Sequence, residues 1–126
     1  DKRNIKYNAV TKIPDDNPDY GNVKFDLILL LDVFEHLDSP LEVVKNLLKY
    51  CKTGTVFIET WIIHGDDEAG QYSDLQSSID QRPATMELIE ENFDLKAEVF
   101  GNIPNQWQSY AILCSTGSKR LQICRQ

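Results

Sequence analysis

Long apolar runs are missing from this 126-residue chain, and with them any segment of the ~18 residues that a membrane-spanning helix needs. The opening Asp1-Lys2-Arg3-Asn4 leads into no apolar stretch of the kind a secretory leader carries, so none is expected. Cysteine is scarce as well. The three thiols, Cys51, Cys114 and Cys124, are odd in number and lack CxxC spacing, which argues for free thiols in a cytoplasmic protein rather than a disulfide framework or zinc site. Glycine and proline are few, with 6 and 5 residues, and the composition is that of an ordinary globular protein. Positive charge is also short. Thirteen Lys and Arg against 20 Asp and Glu give a net charge of −7, with the acids scattered, and this argues against a large electrostatic grip on nucleic acid. Lys119-Arg120 with Arg125 is the one basic cluster that stands out. The length suits one domain with one core, and neither an internal repeat nor a domain boundary is visible.

What is present is organised around residues 25–40, FDLILLLDVFEHLDSP. The run from Phe25 to Val33 is apolar at odd and even positions alike, which predicts a strand buried on both faces of a parallel sheet. It turns polar at Asp32, Glu35, His36 and Asp38, so these residues fall at the carboxyl end of the strand, where open α/β sheets bind ligands. Ser39-Pro40-Leu41-Glu42 announces a helix over 40–51, with Ser39 as cap and Pro40 at the first position. Its stripe is Leu41, Val44, Leu48 and Cys51, and Thr53-Gly54 stops it. A second consecutively apolar strand follows over 55–62. Strand, helix and strand form a right-handed crossover unit, so the two strands run parallel and share one carboxyl edge.

The flanks are less regular. Residues 4–10 alternate as a short strand, and 11–24 read as a loop rich in Pro, Asp and Asn. Residues 65–82 read as a long polar loop leaving the ligand edge. A helix is expected over 85–93, a half-exposed strand over 95–100, and a last strand over 107–115 antiparallel to it. Residues 117–126 read as a tail beyond a domain spanning 1–116.

The segment FDLILLLDVFEHLDSPLEVVKNLLKYCKTGTVFIET resembles the second half of class I S-adenosylmethionine-dependent methyltransferases. Phe25-Asp26 matches the opening of that family's fourth strand, Asp32 to Leu37 its close, and Lys52-Thr53-Gly54 the turn into the fifth. RPATMELIEENFDLKAEVF is similar to the family's helix and sixth strand, and the resemblance covers roughly residues 4–116. It implies an incomplete Rossmann-like α/β sheet, mostly parallel with a C-terminal antiparallel strand. The glycine-rich cofactor motif and the ribose-binding acid would precede Asp1, so the isolated chain is expected to bind S-adenosylmethionine poorly and to be inactive. The family's acid after the third strand aligns near Asn8-Ala9 and is not an acid here. The missing first strand would leave the 25–33 strand with an open edge, filled either by residues 4–10 or by a second chain in a homodimer.

By the same resemblance Asn8, Ala9, Asp32, Val33 and Phe34 fall at cofactor positions, while Glu35, Glu59 and His64 at the shared edge and Tyr72 in the following loop are placed near the acceptor by their position in the chain. Each has a structural alternative. Asp32 and Glu35 can accept amides in the turn, and Trp61 and Trp107 can simply pack. His36 is the candidate general base, since a histidine side chain titrates near neutrality, with a buried, backbone-bonded imidazole as the alternative. Glu59, His64, Asp66 and Asp67 would bind metal only by converging, so no metal is expected. The leading expectation is methyl transfer to a small-molecule acceptor. Two others compete: a non-catalytic degenerate module, and a transfer RNA wobble-uridine enzyme, which ETWIIHGDDE also resembles.

Overall fold

A computed structural model describes residues 17–64, 75–101 and 115–125, with the side chains of 62–64, 99–101 and 115–119 left aside. Four strands and two helices make up this part: β1 (Leu27–Leu30), α1 (Pro40–Leu48), β2 (Val56–His64), α2 (Gln76–Asn92), β3 (Phe93–Gly101) and β4 (Ser115–Cys124). A 3₁₀ turn, Phe34–His36, joins β1 to α1. The sheet order is β1-β2-β4-β3. β1 and β2 are adjacent and parallel, with Leu27 opposite Val56 and Leu30 opposite Glu59, as the crossover pattern requires. β4 runs antiparallel to both of its neighbours, β2 and β3. The architecture is an α/β sheet of the partial Rossmann-like kind.

Local chemistry accounts for most of the first unit. Pro40 opens α1, where its missing N–H costs nothing. The Ser39 hydroxyl makes no capping bond, but the Ser39 carbonyl accepts the Val43 amide at 3.1 Å. The helix tightens at its end through Tyr50 N–H to the Leu47 carbonyl and Cys51 N–H to the Leu48 carbonyl. Gly54 then turns the chain with φ at +91°, a conformation glycine adopts without steric cost. Cys51 and Cys124 are buried thiols outside any disulfide, and burial together with the neighbouring Cys124 thiol pushes the Cys51 pKa up to about 12.

Both described helices cover the same sheet face. Ile28, Leu30, Phe57 and Trp61 of the sheet pack there with Val43 and Val44 of α1 and Ile89 of α2. This corrects the expectation of a strand over 25–33 buried on both sides. β1 is four residues long and alternates, with Ile28 8% and Leu30 6% exposed against Leu27 51% and Leu29 52%. The odd leucines point to the face that no described element covers.

Two further boundaries differ. α2 begins at Gln76, nine residues before the expected start, and carries Pro83 inside it. An internal proline costs a helix ~3 kcal/mol, which is why the sequence reads as a break there. Tertiary bonds hold the early turns: Ser78 Oγ donates to the Phe34 carbonyl at 2.6 Å, and Leu75 N–H to the Glu35 carbonyl at 2.9 Å. Gln81 adds a bond to the Asp38 carbonyl. The final strand covers Ser115–Cys124, so the stretch expected to be a tail is largely β4, paired along its length with β2. Polar Arg120 and Gln122 take inward positions on it, 5% and 2% exposed, which hides the strand from hydrophobic patterning. The expected strand at 4–10 and most of 107–115 lie outside the described residues.

Candidate active-site edge

The carboxyl ends of β1 and β2 form one edge, and the two strands lock to each other there. Asp32 adopts φ +54°, uncommon for a residue with a side chain, directly after the strand turns away. Its N–H donates to Thr60 Oγ1 at 2.7 Å, and the Thr60 hydroxyl donates to Asp32 Oδ1 at 3.1 Å. That reciprocal pair holds the left-handed turn and fixes the carboxylate, which stays exposed. Such a fixed, solvent-facing carboxylate suits hydrogen-bond donors of a polar cofactor, and half-buried Val33 beside it can supply apolar wall. Phe34 is different: it is fully buried and stacks on Trp61, with centroids 4.6 Å apart and planes 16° apart. It supports the edge from beneath and does not line it.

Glu35 and His36 diverge in the same way. Glu35 is 1% exposed, whereas the His36 side chain is 43% exposed, its Nε2 3.9 Å from Glu35 Oε1. The imidazole is therefore a surface group at the edge and not a core histidine. Glu59 has turned inward. It is fully buried on the helix-covered face, and its Oε1 accepts Arg120 Nε–H at 2.8 Å, while Oε2 has no hydrogen-bond partner. Burial raises the Glu59 carboxyl above its ordinary value, and the Arg120 guanidinium offsets that only in part. A group with no accessible surface and a buried counter-ion is poorly placed to touch an acceptor, so the structure sets Glu59 apart from the edge. Asn8, Ala9 and Tyr72, and the side chains of His64, Asp66 and Asp67, lie outside the described residues.

Three participants escaped the sequence reading. Thr60 sits within an apolar strand and carries no signal beyond its hydroxyl. Arg120 looked like part of a basic tail, and Arg82 like part of a loop. The Arg82 guanidinium lies over the Trp61 ring with Cζ 5.3 Å from its centroid. Burial lowers its pKa, and nearby Glu59 opposes that shift.

Residues 2–93 match the family model of a methyltransferase domain. The chain belongs to the class I S-adenosylmethionine-dependent methyltransferase family. The matched stretch contains β1, α1, β2 and all of α2, and hence the whole described edge. Among curated proteins the chain is 43% identical over 68 residues to a tRNA U34 carboxymethyltransferase of Campylobacter fetus subsp. fetus. That alignment covers 53% of this chain and 23% of the relative. A tRNA U34 carboxymethyltransferase of Campylobacter hominis is 44% identical over 52 residues, 40% of this chain and 18% of the relative. The chain thus spans about a quarter of the length of these relatives or less. No solved structure matches it.

These relatives overturn the expectation of a small-molecule acceptor with nucleic acid an unlikely partner, because the enzymes named act on tRNA. Net charge is a sum over the chain, whereas contacts to phosphate depend on where the cations stand. No helix among the described residues is long and apolar enough to cross a membrane.

Proposed function

We propose that this chain is part of a transferase that moves a methyl or carboxymethyl group from an S-adenosylmethionine-type sulfonium donor to the wobble uridine of tRNA. The observation that carries the proposal is the 43% identity over 68 residues to an enzyme of that activity. The sulfonium donor supplies an electrophilic carbon; the protein's task is to hold donor and acceptor in line, which can provide most of the rate. In this reading Asp32, fixed by Thr60, and Val33 form part of the cofactor wall. His36 at the same edge takes the proton from an acceptor that must lose one, contributing about 10²–10⁴-fold. A cytoplasmic location, where tRNA is modified, belongs to the same proposal.

The test is transfer from labelled donor to unmodified tRNA by the protein carrying this segment, with digestion to locate the label. Label at position 34, lost on Asp32→Ala and reduced by orders of magnitude on His36→Ala, is the expected result. Donor binding by calorimetry without any transfer to tRNA would overturn the acceptor assignment. Absence of donor binding would overturn the enzyme reading altogether.

A further inference from the structure

Three arginines lie among the described residues, and two of them are fully engaged. Arg120 pairs with Glu59 at 2.8 Å, approaches Glu90 at 3.8 Å and contacts Met86 Sδ. Arg125 holds Asp94 at 3.3 Å and the carbonyls of Glu90 and Glu91. Arg82 makes neither an ion pair nor a hydrogen bond to any described residue. Its guanidinium lies over the face of Trp61.

The lack of a hydrogen-bonded counter-ion is costly where Arg82 stands. It is half-buried, so its guanidinium has lost part of its hydration; the buried acids Glu59 and Glu35 attract it without a hydrogen bond or ion pair to it, and Glu59 is already bonded to Arg120. Trp61 is itself fixed, fully buried and stacked on Phe34, so the ring forms a rigid floor that orients the planar cation. Arg82 also stands at the functional end of the sheet. The α2 turn just before it is tied by Ser78 and Leu75 to the carbonyls of Phe34 and Glu35, next to His36 and two residues beyond Asp32. A guanidinium clamped through one face keeps its N–H edge available for planar, two-point bonding to an oxyanion.

We propose that Arg82 is an oxyanion-binding residue at the carboxyl edge, taking a carboxylate or phosphate oxygen pair on its free N–H edge while Trp61 holds its face. The identity of the oxyanion, unlike the site, rests on the transfer reading. A carboxylate would be presented by the transferred group of a carboxymethyl donor, and a phosphodiester by the RNA.

The 126-residue chain with Trp107→Phe leaves Trp61 as its sole tryptophan, so Trp61 fluorescence reports the site directly. Acetate, inorganic phosphate and a short uridine-containing oligoribonucleotide are titrated at constant ionic strength, with the Arg82 Nε–H resonance followed in parallel. A saturable response with at least one probe is expected. Arg82→Gln should weaken it about ten- to a hundredfold, the size of a charged hydrogen bond, with partial retention in Arg82→Lys. Acetate binding ahead of phosphate assigns the site to a carboxylate, and the oligonucleotide binding ahead of inorganic phosphate assigns it to the RNA backbone. Response to acetate with silence toward RNA keeps the Arg82 site and weakens only the tRNA reading. No saturable response to any probe, or one unchanged in a folded Arg82→Gln variant, overturns the proposal.

Discussion

The β1–α1–β2 unit and the α2–β4 seam are built on opposite terms. The first buries aliphatic and aromatic side chains, Ile28, Leu30, Val43, Val44 and Phe57, and shows Asp32 and His36 at its exposed edge. The second brings charge against the interior: Arg120 on the buried Glu59 that β2 presents to it, then Gln122, with Arg82 above Trp61. An apolar core tolerates change in proportion to the surface lost. A buried ion pair tolerates the loss of both partners far better than the loss of one, because the survivor is stranded without water.

The sharpest way to break that comparison is Arg120→Ala. It should cost about 3–5 kcal/mol in urea unfolding by leaving Glu59 buried and uncompensated, and a double replacement of Glu59 and Arg120 by leucine should recover most of the loss. If the single and double variants unfold alike, the pair is not what organises the seam. In the aliphatic unit Ile28→Ala should cost about 2–4 kcal/mol, as for other buried large-to-small changes. Thr60→Val, which removes both bonds to Asp32 while keeping shape, should cost about 1 kcal/mol and release the φ +54° turn.

The pair also has a pH signature. Burial raises the folded Glu59 pKa above its unfolded value of 4.5, so the folded state favours the protonated form. The stability this contributes is fully present below the unfolded value and is lost as pH rises through the folded one. Unfolding free energy of the wild type relative to Glu59→Gln should therefore decline as pH is raised from about 4.5, and a flat difference would contradict the raised pKa. The smallest effect is expected at Leu29→Ala, within about 0.5 kcal/mol, since that side chain is half exposed. A loss there equal to that at Ile28 would show that both faces of β1 are buried in solution.

The same contrast decides what could be read in advance. Ser39-Pro40 and the stripe through Val44 and Leu48 announce α1, and the apolar runs on either side announce two parallel neighbours, because each signal is local. β4 stayed hidden because Arg120 and Gln122 face inward, and their burial makes sense only once Glu59 lies opposite Arg120 across the strands. The first nine residues of α2 stayed hidden because Pro83 argues for a break, and the bonds that outweigh it come from residues more than forty positions away. At the edge, Asp32 and His36 were legible as a polar cluster after an apolar strand. The inward turn of Phe34 and the burial of Glu35 beside an exposed His36 were not, since one 3₁₀ turn sends successive side chains to opposite environments.

By itself the sequence determined the crossover unit, the parallel pairing of its strands and the polar edge at their carboxyl ends, all of which follow from hydrophobic period and helix-start chemistry. Only the tertiary structure decided which charged residues went inside. A charge can be buried when its counter-charge arrives from a distant strand, and no local pattern records that meeting.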